Sequence, residues 1–307
     1  MKAVVFAYHD MGITGLEALL RARFDIAAVF SHEDAPGENC WFGSVAAWAE
    51  EMDIPVFCPE DVNTAEWREQ IAAMKPDVIF SFYYRQMIGQ DILDLAPAGA
   101  YNLHGSLLPA YRGRAPVNWV LVRGEKKTGV TLHHMVRKAD AGDIVGQRVV
   151  DIAFEDTALT LYGKMCEASR RLLTELLPLI ESGRAPRMPQ DHAAATYFGR
   201  RRPEDGRIDW HWPALQVYNL IRAVTDPYPG AFTQIPGGER FFIWRAMPED
   251  AAGPVKPPGT VAVEGNRVLV AAGEGRLHLL SVGLASDRME GDRLLSYFRN
   301  KEGMILI

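Results

Sequence analysis

Two residues two positions apart, Asn102 and His104, hold the most reactive potential in this sequence. Side chains two apart on a strand face the same side, so this pair would enter one crevice together. A neutral imidazole takes up a proton near neutral pH, and the imidazolium gives it back. An amide N–H stabilises an oxygen that is becoming negative. The two suit attack on a carbonyl, where an oxyanion forms and protons move. An isolated Asn-x-His more often serves as a turn cap and a self-satisfied histidine. Here a Gly-, Pro- and Arg-rich loop, residues 105–116, follows at once, and functional groups concentrate on such loops.

A carboxylate would complete the set. Asp140 stands in Arg137-Lys138-Ala139-Asp140-Ala141-Gly142-Asp143, just after a predicted strand. An aspartate bonded to imidazole fixes its tautomer and stabilises its protonated form. An Asp before Ala-Gly is also an ordinary turn residue, and on the residues alone Asp143 competes for the role.

Other signals are weaker. His9 and Asp10 follow the first predicted strand, where ligand contacts fall, although Asp10 reads equally well as a helix cap. His133 and His134 are adjacent on a strand, face opposite sides and cannot chelate together. Gly12 and Gly15 leave the dinucleotide fingerprint incomplete. P-loop, His-Glu-x-x-His and nucleophile-elbow patterns are missing. Arg200, Arg201 and Arg202 suit a phosphate, or a solvated linker beside Glu204 and Asp205.

These residues need a scaffold. Predicted strands at 3–7, 26–31, 56–58, 78–82 and 100–103 alternate with predicted helices at 12–23, 43–52, 65–74 and 86–93. That rhythm implies an α/β fold with a parallel sheet. Ligands then bind beyond the carboxyl ends of the strands, which singles out the loops after Ala7, Phe82 and Leu103. A strand at 128–136, an extended stretch at 142–152 and a long helix at 159–180 follow. Polar segments at 183–187 and 200–206 mark a junction. Beyond them come a helix at 214–224 and short strands at 240–244, 259–263, 267–271 and 276–282, a pattern that suggests a small barrel.

The 307 residues carry a net charge of −6, and residues 24–67 hold ten carboxylates with no Lys or Arg. Residues 201–307 balance 13 basic against 13 acidic side chains. Nothing here favours a nucleic-acid partner. Three scattered cysteines, Cys40, Cys58 and Cys166, read as reduced thiols. No apolar stretch reaches the roughly 18 residues of a membrane span, and the start reads as a first strand. A cytoplasmic enzyme is the expectation.

The run Asn102-Leu103-His104-Gly105-Ser106-Leu107-Leu108-Pro109-Ala110-Tyr111-Arg112-Gly113, with Asp140 downstream, resembles the signature of the folate-dependent formyltransferases. The likeness covers nearly the whole chain. Residues 4–12, 76–85, 198–201 and 223–232 are most similar to the branch that formylates UDP-4-amino-4-deoxy-L-arabinose, in the lipid A modification behind polymyxin resistance. The resemblance implies a Rossmann-like formyltransferase domain over residues 1–200 and an OB-like β-barrel over 201–307. It implies His104 as general acid/base, Asn102 as oxyanion donor and Asp140 as the partner of the charged imidazole. The co-substrate 10-formyltetrahydrofolate, with no metal, would touch Gln86, Met87 and Ile88, then Arg114, then Val136, Arg137, Lys138 and Ala139. The first three match by position more than by residue type.

The same resemblance implies a nucleotide-linked amino sugar as acceptor, with neither nucleic acid nor membrane insertion. In bifunctional relatives a nicotinamide-dependent decarboxylating domain follows. This chain stops at Ile307, so that activity is expected from a separate chain. The rivals are a dTDP-amino sugar formyltransferase, a methionyl-tRNA formyltransferase, and a non-catalytic folate sensor. Retention of all three catalytic residue types weighs against the sensor.

Overall fold

The computed structural model describes residues 1–34, 39–250, 256–284 and 287–307; Glu38 of the acidic run lies outside them. The chain divides into two compact units. The first holds residues 1–116, 127–152 and 162–199, the second 117–126, 153–161 and 200–307.

In chain order the early elements are β1 (Lys2–Ala7), α1 (His9–Arg21), β2 (Asp25–Phe30), α2 (Val45–Glu51), β3 (Val56–Phe57), α3 (Ala65–Met74), β4 (Val78–Phe82), α4 (Gln90–Leu93) and β5 (Ala100–His104). Then come β6 (Arg112–Gly113), α5 (Pro116–Val122), β7 (Lys127–His134), β8 (Ile144–Asp151), α6 (Ala158–Glu181) and β9 (Tyr197–Phe198).

The main sheet of the first unit has the order β3-β2-β1-β4-β5-β7-β8. Its first five strands are parallel, as the alternating pattern predicts, whereas β7 and β8 pair antiparallel. The stretch expected only to be extended is therefore an edge strand, and Asp140 lies in the β7–β8 turn. Strands β1 and β4 are buried throughout, apart from the first residue of β1, because helices cover a parallel sheet. Val4, Phe6, Phe30 and Ile79 share one core with Ile71 of α3 and Ile92 of α4. Each large side chain fully buried there contributes roughly 1.5–3 kcal/mol.

Gly15 explains itself by packing rather than by phosphate: a Cβ there would strike the Phe82 ring at 2.3 Å. The helix expected over 86–93 begins only at Gln90, with Gly89 as its N-cap. Asn63 prevents an earlier start, since its side chain accepts from Gly89 N and donates to Met87 O. Residues 86–88 thus remain a loop.

The second unit adds α7 (Ala214–Val224), β10 (Ala231–Gln234), β11 (Arg240–Glu249), β12 (Val261–Glu264), β13 (Arg267–Ala271), β14 (Arg276–Leu284), β15 (Asp287–Glu290) and α8 (Gly291–Phe298). Its antiparallel sheet runs β10-β11-β14-β13-β12, with β15 beside β14. The last residues bridge the two ends of that path: Leu306 donates to Gly259 O, and Ile307 exchanges bonds with Gln234. No helix among the described residues is long and apolar enough to cross a membrane.

Candidate active site

Strand register brings the site together. β5 lies between β4 and β7, which sets Asn102 beside Ser81 on one side and His133 on the other. Alternation along β5 carries His104 to the strand end on the face of Asn102. The following loop, containing β6, and the β7–β8 turn both return to this point.

Asp140 is the hub. Its Oδ1 lies 3.6 Å from His104 Nδ1 and 3.5 Å from His133 Nε2. The same oxygen accepts from Asn102 Nδ2 at 3.4 Å. Its Oδ2 accepts from Gly113 N at 2.8 Å. Burial alone would raise the Asp140 carboxyl, but the two imidazoles and the Gly113 N–H outweigh it and hold the group well below the ordinary carboxylate range. Asp143 points elsewhere, lying 3.5 Å from Arg187. The competition left open by the residues is resolved in position by the turn: only Asp140 faces the imidazole.

His104 is 7% exposed. Its Nε2 lies 2.8 Å from Tyr111 O, a carbonyl that can only accept, so this nitrogen carries a hydrogen. With Nδ1 facing a carboxylate, both ring nitrogens have acceptors. The Asn102 amide nitrogen is engaged twice, by Asp140 and by His133 Nε2 at 3.1 Å. A donor for an oxyanion must therefore be shared from one of these contacts.

His133 is the residue that sequence reasoning missed. It is 2% exposed, and its Nδ1 donates to His134 O at 2.8 Å. Its Nε2 faces both Asn102 Nδ2 and Asp140 Oδ1. Only the antiparallel pairing of β7 with β5 reveals this neighbour, and the pairing is not readable from local pattern. His134 faces the other side, as expected, against Tyr101; burial, aided by Arg187, pushes its pKa down.

Backbone strain gathers at the same place. His9, Tyr83, Tyr111, Ala115 and Asp140 all have positive φ. They follow β1, β4 and β5 or occupy the β7–β8 turn. Such conformations cost on the order of 1–3 kcal/mol each and cluster at functional sites. His9 Nδ1 accepts from Tyr162 Oη at 2.6 Å, and the same hydroxyl accepts from Met11 N. Asp10 caps no helix: Tyr8 is the N-cap of α1, and Asp10 instead accepts from Gly43 N at 2.7 Å.

The residues expected at the formyl donor divide. Ile88 is a core residue, 5% exposed. Met87 is 54% exposed. Gln86 donates to Glu60 O at 2.5 Å, while its Oε1 is buried with no hydrogen-bond partner. Arg114 donates to Arg85 O at 2.8 Å, next to Gln86. Val136, Arg137 and Lys138 are exposed and Ala139 half-buried. Met135, just before them, packs on the core that holds Ile88. Arg200–Arg202 fall in the second unit, where the Arg201 guanidinium lies 4.7 Å over the Trp119 ring and donates to Asp205 O.

Comparison with known proteins bears on the family and the fold. The sequence model of the family described as formyl transferase matches residues 7–177, and that of the formyl transferase C-terminal domain matches 201–299. Among solved structures, an N-formyltransferase from Helicobacter canadensis, in complex with folinic acid and dTDP-3-aminofucose, is similar at TM-score 0.71 and 20% identity, over 91% of this chain and 98% of that one. WlaRD, a sugar 3N-formyl transferase solved with dTDP and 5-N-formyl-THF, is similar at TM-score 0.68 and 19% identity, over 91% and 97%. The methionyl-tRNA formyltransferase from Clostridium thermocellum is similar at TM-score 0.58 and 18% identity, over 95% and 100%.

Proposed function

The chain belongs to the formyl transferase family, and from that premise we propose that it moves a formyl group from 10-formyltetrahydrofolate to the amine of a nucleotide-linked amino sugar. The observation that carries the reading is Asp140, a buried anion held by Gly113 N–H within 3.6 Å of His104 and within reach of Asn102. The formyl donor supplies the one-carbon unit. The unpartnered buried Gln86 Oε1 suits it, because a pterin ring carries N–H donors.

His104 accepts the proton of the attacking amine at Nε2, which must first leave the Tyr111 carbonyl without its hydrogen, and returns one to the nitrogen that departs. Asp140 stabilises the imidazolium between these steps. Asn102 lends the N–H now on Asp140, the longer of its two contacts, to the oxygen that gains negative charge. The chemistry is assigned to residues 1–200.

UDP-4-amino-4-deoxy-L-arabinose is the acceptor we favour, on the sequence likeness at residues 4–12 and 76–85; this would place the protein in lipid A modification. A dTDP-linked amino sugar is the second reading, favoured by the ligands of two similar structures. Transfer RNA is disfavoured by the acidic residues 24–67 and by the balanced charge of residues 201–307. Tetrahydrofolate release, measured with each of the three acceptors in turn, tests the proposal. Turnover with a sugar nucleotide supports it, turnover with methionyl-tRNA alone reassigns the acceptor, and silence with all three removes the transfer reading.

A further inference from the structure

Arg112 is the largest side chain with no exposure at all. Among the described residues no carboxylate pairs with it. Its Nε and Nη2 donate to Gln190 Oε1 at 3.2 and 2.6 Å, its Nη1 to Tyr197 Oη at 2.6 Å, and Nη2 also meets His192 Nδ1 at 3.0 Å. A buried cation is tolerable only when hydrogen-bonded in this way. Every partner lies on one segment, residues 190–197, which also pairs with the site loop through β6 and β9.

Gln190 is 7% exposed and saturated. While its oxygen accepts from Arg112, its Nε2 donates to Asp140 O at 2.9 Å and to Gly142 O at 2.6 Å. Those carbonyls flank the turn that sets Asp140 at φ +53, a conformation rare for a residue with a Cβ. The far end has no slack, since a Cβ on Gly142 would lie 1.9 Å from His134 O. Tyr197 extends the node to the neighbouring loop residue Lys138, whose ammonium lies 5.3 Å from its ring centroid. Hydrogen bonds from Lys138 and Arg112 lower the phenol's pKa.

We propose that Gln190, anchored by the buried Arg112, is a positioning residue that aims the Asp140 carboxylate at His104, and that the same anchor steadies residues 136–140 through Tyr197. The proposal rests on the catalytic reading of Asp140. Neither Gln190 nor Arg112 touches the reacting atoms. A glutamine fits the post because it offers an acceptor on one side and two donors on the other.

The test compares the full wild-type chain with Gln190→Met and Gln190→Glu. One readout is kcat and KM with 10-formyltetrahydrofolate and whichever of the two sugar nucleotides turns over. The other is amide hydrogen exchange across residues 136–143. Gln190→Met should lower kcat on the order of 10- to 100-fold, as misplacement of a catalytic group does, with little change in KM for the acceptor. Exchange in 136–143 should quicken by about tenfold or more while β1 and β4 stay protected.

Gln190→Glu keeps the acceptor for Arg112 and adds a counter-charge, but it gives no donor to the two carbonyls. The Arg112 counter-charge should keep it folded, though less stable than wild type, and it should show the same losses, so it decides the matter if Gln190→Met does not fold. A kcat within about twofold of wild type in Gln190→Glu, or unchanged exchange, overturns the proposal. Failure of the catalytic reading has a different signature: Asp140→Asn would then keep its kcat, whatever the Gln190 variants do to exchange.

Discussion

The two units treat positive backbone angles in opposite ways. Among the described residues, all eight non-glycine residues with positive φ lie in the first unit, five of them around the end of β5 and its neighbours. Among the described residues of the second unit, positive φ occurs only at glycine, as at Gly230, Gly259 and Gly275. The buried polar groups differ too. The first unit buries His104, His133, Arg112 and Gln190 in one connected site, whereas the second buries Arg222 against the Ala153 and Asp156 carbonyls and uses Thr233 to bridge Trp210 and the Ile307 carbonyl. Strain and buried charge weaken a fold unless they are held. Among the described residues both units bury charge, but only the first sets strained non-glycine residues, and it does so where chemistry is proposed; the second confines positive angles to glycine.

The sharpest way to break that contrast is His104→Ala. Loss of the acid/base should cost kcat on the order of 1,000-fold while the chain still folds cooperatively, as steady-state rates and calorimetry would show. Asn102→Ala should cost on the order of 100-fold in kcat, and near-normal turnover would remove Asn102 from the mechanism. Gly259→Ala probes the other side. Its Cβ would meet Leu306 O at 2.3 Å at φ +83, so chemical denaturation should show a loss of about 2–3 kcal/mol. The kcat of the folded fraction should not change, and a lowered value would mean that the second unit takes part in the chemistry.

The smallest effect concerns acid. Asp140 has a folded pKa below its unfolded one. It therefore contributes stability above the ordinary carboxylate value of about 4, and that contribution is lost as pH falls through the folded value. Asp140→Asn lacks this dependence, so its stability should fall less steeply with acid below pH about 4 in urea titrations. An acid limb identical to wild type would place the Asp140 charge outside the fold's balance.

Much of this was legible in the residues. Strand alternation was enough to put Asn102 and His104 on one face, and the β-α rhythm located the loops after Ala7, Phe82 and Leu103. Asp140 and Asp143 were inseparable because both sit in one turn. Only the positive φ of Asp140 and the Gly113 N–H, 27 positions away, direct one of them inward. The place of His133 at the site escaped notice because it arises across strands, and Gln190 because it reaches back 50 positions to a backbone carbonyl. The helix expected from Gln86 failed to a side chain, Asn63, that captures the loop before it can wind. Local periodicity reports which face a residue takes; it is silent on which distant backbone group completes it.

The central claim is that His104 and Asp140 act as one device rather than as two separate aids. A double-mutant cycle on kcat, with His104→Ala, Asp140→Asn and the pair together, tests it most directly. The account predicts that the double variant is no more than about tenfold slower than His104→Ala alone, because a carboxylate without its imidazole has little left to stabilise. Losses that multiply in the double variant would show two independent contributions and contradict it.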